Sequence, residues 1–249
     1  MTWSLPTLGW GVLEWAAAFL PSPRDHDKPL ILTDEQAEFV LAWYSVDRQG
    51  KFPYRRSISE RAKGWGKSPL HAVIALAELG ASDPDLSAPV LFDGWRGDEP
   101  VGRPWGIKGM PRPWCQIAAV SEDQTDNTYS VLYELLTAND NRAADALGID
   151  AGQTRLYLKN RPGTLEPVTA SAGSREGQPI TYGLLDETHL YTRQNKGVKL
   201  AATIRRNVAK MGGRSQETTN APLLGEGSVA EQSGKAVDRG LSGILWDAK

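Results

Sequence analysis

The chain has 249 residues, 40% hydrophobic and 23% charged, enough apolar mass for one large buried core. Its 28 Lys and Arg against 30 Asp and Glu leave a net charge of -2, which excludes a globally basic nucleic-acid binder and confines any polyanion contact to local patches. The lone Cys115 excludes an internal disulfide framework and fits a reducing compartment.

The apolar opening from Trp3 to Leu20 lacks a basic leader and contains Pro6, Glu14 and two glycines. It reads as neither a signal peptide nor a membrane span, and Leu13 to Leu20 is expected to form a short amphipathic helix docked on the domain. Pro21 to Pro29 is a Pro- and charge-rich connector. Thr33 is placed to cap a helix from about Asp34 to Tyr44, whose first turn is acidic. Tyr54 to Glu60 reads as extended, followed by a Gly-rich turn and a helix from Leu70 to Leu79 that stops at Gly80. Pro89 to Phe92 and Cys115 to Val120 read as buried strands. The Gly/Pro/Trp-rich loop between them, Gly94 to Pro113, carries Arg96, Arg103, Lys108 and Arg112. It fits either a contact with the phosphates of a polyanion or a solvated subunit-contact loop.

Thr125 to Leu136 has helical spacing, and Arg155 to Leu158 and Val168 to Ala170 read as strands around a turn at Pro162 and Gly163. Ile180 to Leu185 is a further apolar strand, Leu200 to Lys210 a helix, and Gln216 to Asn220 a last strand. Gly225 to Lys249 reads as a connector plus partial helix. This alternation argues for an α/β fold with a mainly parallel central sheet and helices on both faces.

Two motifs carry chemistry. Gly64-Trp65-Gly66-Lys67-Ser68 sits between a predicted strand and helix. There the backbone N–H groups can face a polyphosphate, with Lys67 reaching the outer phosphates and Ser68 a magnesium ion. Pro69 falls in the first helical turn, where its missing N–H has no partner to lose. The first glycine of the full phosphate-loop pattern is replaced by Arg61, so the loop alone fits an exposed glycine turn on an unrelated domain equally well. The second motif, Tyr182 to Glu187, is an apolar strand ending in Asp186-Glu187. On a neighbouring parallel strand, Asp186 would hold the metal, generally through water, and Glu187 would deprotonate the attacking water. Alone, such a pair is as often a solvated strand end. Together and in this order, the motifs point to a P-loop NTPase of the ASCE class. His189 has no partner at ligand spacing and reads as a polar surface or core-edge residue.

The residues then resemble the large terminase subunits of tailed phages infecting actinobacteria. The resemblance runs through Leu32-Thr33-Asp34-Glu35-Gln36, Ala62 to Pro69, Ser121 to Thr125, Asp186-Glu187-Thr188-His189 and Glu217-Thr218-Thr219-Asn220-Ala221. It implies that Gln36 reads adenine, an ordinary exposed helix residue being the alternative. It implies that Thr218, Thr219 and Asn220 sense the γ-phosphate and couple hydrolysis to DNA movement, although the same tripeptide suits a turn. Lys63 stands where the family commonly has arginine, keeping the charge and losing the bidentate fork. Arg175 resembles the arginine some members insert into a neighbour's site, with a plain loop arginine as the alternative.

The resemblance further implies ATP as substrate with Mg2+ as cofactor, and double-stranded DNA, a portal protein and a small terminase subunit as partners. It implies a homo-oligomeric ring without a membrane partner, working in the host cytoplasm and transiently at the prohead portal vertex. The organisation expected is an N-terminal helical region with the adenine-motif helix over 1–50, a P-loop ATPase core over 51–225, and a C-terminal connector opening a linker subdomain over 226–249. Only about thirty residues follow the coupling motif, so no metal-dependent nuclease domain, and no endonuclease activity, is expected within the chain. The competing readings are another DNA-dependent ATPase of helicase type and a catalytically weak fragment that keeps only the fold.

Overall fold

The computed structural model describes residues 5–170 and 176–248, without the side chains of 122–127. An N-terminal helix, α1 (Gly9–Phe19), begins four residues before the expected one because Gly9 lies against the backbone of Leu41, where an added Cβ would sit 2.8 Å from the Leu41 Cα. It buries Val12, Trp15 and Ala16, and Trp15 Nε1 donates to the Leu86 carbonyl at 2.9 Å. The connector after it forms a small antiparallel ribbon of β1 (Pro21–Ser22) and β2 (Asp25–Pro29). Helix α2 (Asp34–Trp43) then starts on a reciprocal capping box: Thr33 Oγ1 accepts from the Gln36 N–H, and Gln36 Oε1 accepts from the Thr33 N–H.

The alternation follows. Strand β3 (Arg56–Glu60) leads into α3 (Lys67–Leu79), which Gly80 ends at a positive φ of 78°. Strands β4 (Leu91–Arg96) and β5 (Glu99–Arg103) pair only with each other. This corrects the expectation that Pro89 to Phe92 is a buried sheet strand: apart from Leu91, β4 is partly or fully exposed, the pattern of a surface hairpin. Next come β6 (Trp114–Ala119) and the long α4 (Glu122–Leu147), interrupted by non-helical backbone from Ala138 to Asn141. After them lie β7 (Ile149–Ala151), β8 (Leu156–Leu158), β9 (Thr164–Thr169), β10 (Tyr182–Leu185), α5 (Gly197–Lys210), β11 (Arg214–Thr219), α6 (Val229–Asp238) and β12 (Ile244–Ala248).

The eight-stranded sheet has the order β12-β3-β11-β10-β6-β9-β8-β7. The six strands from β12 to β9 are mutually parallel; β8 and β7 add antiparallel pairs at one edge. Two departures matter for the site. Strand β12 closes the other edge against β3, so the tail expected to be connector plus partial helix is also part of the sheet. Strand β11 lies between β3 and β10, so the acidic strand is one place further from the phosphate loop than a direct neighbour.

Side chains of β6 and β10 alternate between two cores. Cys115, Ile117, Tyr182 and Leu184 pack with α1 to α4 on one face, while Ala118 and Leu185 pack with α5 and Val229 on the other. Among the described residues, no helix is long and apolar enough to cross a membrane.

Candidate nucleotide-binding site

All the parallel strands point the same way, so the loops at the carboxyl ends of β3, β11 and β10 share one rim of the sheet. Between β3 and α3 the chain turns through Gly64 and Gly66 at φ of 88° and 97°, values that favour glycine. At Gly66 a Cβ would also meet Gln36 Nε2 at 2.7 Å. The turn delivers the α3 N-terminus, with half-buried Ser68 in its first turn and exposed Lys63 and Gly64 before it. This is the arrangement of backbone donors that an anion requires.

Lys67 Nζ donates to the carbonyls of Arg61 and Ala62 and to Asn220 Oδ1, the last at 3.0 Å. Burial pushes its ammonium below the ordinary lysine range, while the carboxylates of Glu187 and Asp186 pull it back up. The glycine turn, the Thr218 to Asn220 segment and the acidic pair therefore meet at one amine.

On the next strands a polar chain completes the rim. The Thr218 hydroxyl donates to Asp186 Oδ1 and accepts the Glu187 N–H at 2.9 Å. Thr128, on α4, donates to Asp186 Oδ2 at 2.6 Å. Asp186 is 3% exposed, and burial holds its carboxyl above the usual range against the lowering effect of those hydroxyls. Among the described residues no cationic side chain lies within ion-pair distance of it, and the Lys67 ammonium acts on it only at longer range, so the buried carboxylate has no direct counter-charge. That environment fits a divalent cation. Glu187 sits at φ 55°, ψ 52°, a left-handed conformation that costs a non-glycine residue about 1–2 kcal/mol. The Thr218 hydroxyl pins its N–H in that conformation. His189, expected as a polar surface or core-edge residue, brings Nδ1 to 3.4 Å from both Thr219 Oγ1 and the Asn220 backbone nitrogen.

Gln36 is 7% exposed. Its oxygen serves the capping box, and its amide nitrogen faces the Trp65 and Gly66 carbonyls at 3.4 and 3.5 Å. It thus braces the loop; the exposed-helix alternative is excluded. Arg175 lies outside the described residues. In the expected contact loop, Arg103 and Lys108 both pair with Asp93, and Arg112 stacks on Trp114. That segment packs at the far end of α3 through Arg161, whose guanidinium holds the Trp105 and Ala81 carbonyls. It lies about 20 Å from the phosphate loop along the 13-residue helix.

Below the site, His71 of α3 ties the strands together. Gln216 Oε1 accepts from Tyr182 Oη at 2.6 Å and, being an acceptor only, must also accept from His71 Nδ1 at 3.0 Å. Nε2 is then the acceptor for Ser59 Oγ at 3.0 Å. Burial holds this imidazole down at about 4, against an ordinary 6.5. Because the unfolded chain binds that proton more readily, the histidine's contribution is intact above about pH 6.5, is lost as pH falls towards 4, and levels off below. The loss is on the order of 3 kcal/mol. Urea unfolding of wild type and His71→Asn across pH 7 to 4 is expected to show a steeper acid loss in wild type; parallel profiles would contradict the assignment.

Against this geometry the comparisons are informative. The chain is 33% identical over 286 aligned positions to the Gene 13 protein of Mycobacterium phage D29 and 34% over 284 to that of Mycobacterium phage L5. Each match takes in 99% of this chain and 45% of the relative, so the chain spans about half the length of the curated proteins it matches. The crystal structure of the HK97 bacteriophage large terminase superposes with a TM-score of 0.68 at 16% identity, over 97% of this chain and 44% of that one. The chain has the large-terminase fold. No family model matches it. Within this fold, Thr128 beside Asp186, Asp247 of β12 beside Arg61 and the bracing contacts of Gln36 are site features absent from the sequence motifs. Only Gln36 had a signal in its sequence, the Thr-x-x-Gln capping box.

Proposed function

We propose that this chain is the ATP-hydrolysing motor unit of a phage DNA-packaging terminase. The observation that supports it best is the convergence of Lys67, Asn220, Thr218, Asp186 and Glu187 on one rim of the sheet. In this reading the amides of 64–68 and Lys67 bind the β- and γ-phosphates, while Gln36 holds the loop. The Gln36 amide contacts to the loop, at 3.4 and 3.5 Å, are long enough for an adenine edge to compete for that N–H. Ser68 and Asp186 would hold Mg2+, which when bound neutralises charge developing on the phosphoryl oxygens. Glu187 orients the attacking water and takes its proton. Thr218 donates to the Asp186 carboxylate and accepts the Glu187 backbone N–H, and Asn220 accepts from Lys67, so loss of the γ-phosphate changes the surroundings of this tripeptide directly. That change is the step proposed to move DNA.

Double-stranded DNA, a portal protein and a small terminase subunit are the proposed partners, in a homo-oligomeric ring in the host cell. Arg175 is proposed to reach a neighbouring subunit's nucleotide in that ring, a role carried by its sequence position alone. The test is calorimetric titration of Mg·ATP into wild type and Lys67→Ala. Removing an amine that bonds a polyphosphate is expected to weaken binding by at least about tenfold, each decade being ~1.4 kcal/mol. Equal affinities would reject the phosphate-loop assignment.

A further inference from the structure

The phosphate loop opens on Arg61, where the usual pattern has glycine, and this arginine is 5% exposed. A buried guanidinium needs partners, and it has them on three sides. Arg61 Nε donates to Asp247 Oδ2 at 2.9 Å, and its Nη2 donates to Asp247 Oδ1, a two-pronged pair. Its Nη1 lies 3.5 Å from Glu35 of α2, and its guanidinium stacks 4.7 Å over the Trp65 ring, whose Nε1 donates to the same Glu35 at 3.0 Å.

The backbone of Arg61 is engaged as well. Its N–H donates to the Thr219 carbonyl at 3.1 Å, and its own carbonyl accepts from Lys67 Nζ. One residue therefore ties the edge strand, the coupling strand and the phosphate-binding lysine to a common point. Asp247 supplies the fixed end: it sits on β12, in register with Ser59, directly beside the strand that feeds the loop. Without that carboxylate the guanidinium loses its bidentate partner, and the loop's first residue loses the anchor that sets where its carbonyl, and so Lys67, is held.

We propose that Asp247 is a positioning residue for nucleotide binding, acting through Arg61 to fix the phosphate loop, so that the edge strand and the nucleotide stabilise one another. The proposal rests on the nucleotide reading above. Asp247 bonds Arg61 rather than the loop's own N–H groups or Lys67. Its effect is on where the loop's donors lie, and by linkage a nucleotide that orders the loop also tightens β12.

The experiment uses the whole chain. Affinity for Mg·ATP is measured by calorimetry for wild type and Asp247→Asn, with folded fraction checked by circular dichroism. Hydrogen exchange of wild type is followed with and without Mg·ATP. Asp247→Asn is expected to raise Kd per folded molecule by about tenfold or more, as removal of partners that orient a binding group commonly does. A purely structural role would lower the folded fraction and leave that Kd unchanged, so a folded Asp247→Asn with Kd within twofold of wild type overturns the proposal. If the variant does not fold, wild type decides it: nucleotide-induced protection at 244–248 supports the link, and protection confined to 61–70 overturns it. Wild type that binds no nucleotide removes the nucleotide reading itself, and the proposal with it; a folded variant of unchanged Kd removes the proposal alone.

Discussion

Glu187→Gln is expected to lower ATP turnover by about 10²–10⁴-fold, the range for losing a positioned general base, while leaving Mg·ATP binding close to wild type. The substitution keeps the shape and the backbone N–H that Thr218 pins, and removes only the proton-accepting carboxylate. Glu187 is proposed for this role because the Thr128 and Thr218 hydroxyls fix both Asp186 oxygens, whereas only the backbone N–H of Glu187 is held by Thr218. Its left-handed backbone is also a local cost placed at the strand end where the chemistry is proposed, the kind of outlier that marks functional sites. Phosphate release measured with enzyme in excess separates chemistry from product release. A variant within tenfold of wild type would assign the base elsewhere.

The largest expected effect on stability belongs to Glu217, one residue before the coupling tripeptide. Along β11 the side chains alternate: Gln216 meets His71 of α3 and Thr218 meets Asp186, whereas Glu217 turns to the opposite face. There, at 1% exposure, its Oε1 accepts from Arg56 at 2.9 Å and Arg205 at 2.5 Å, and its Oε2 accepts from Ser233 of α6 at 2.9 Å. Burial holds the Arg205 guanidinium below its ordinary range, Glu217 raises it, and the neighbouring Arg56 lowers it further. Glu217→Gln leaves two guanidinium groups facing each other without a counter-charge. The expected cost is about 3–5 kcal/mol, the range for breaking a buried ion pair from one side. Urea unfolding at neutral pH measures it directly, and a loss under ~1 kcal/mol would mean the cluster is solvated enough not to matter.

What the sequence discloses follows how tightly chemistry dictates residue type. A turn through glycines at positive φ ahead of a lysine and an acidic pair at the end of an apolar strand are both legible, at Gly64 to Ser68 and at Tyr182 to Glu187. Periodicity also finds α3 and β10, buried along most of their length. It says nothing of pairing partners, so Pro89 to Phe92 reads as a core strand, while its last two residues prove to open one strand of a surface hairpin. Strand β12 escapes because Ile244 to Ala248 is a short, half-exposed segment in a polar, glycine-containing tail. Thr128 and Asp247 are ordinary residues made important by what the fold sets beside them, Asp186 in one case and Arg61 in the other. No local pattern announces either.

The most direct test of the central claim is a structure of the chain with Mg2+ and a non-hydrolysable ATP analogue. The polyphosphate is expected along the backbone of residues 64–68, with the metal reaching both Ser68 and the Asp186 shell. A nucleotide bound away from that loop, or a metal site that includes neither residue, would contradict it.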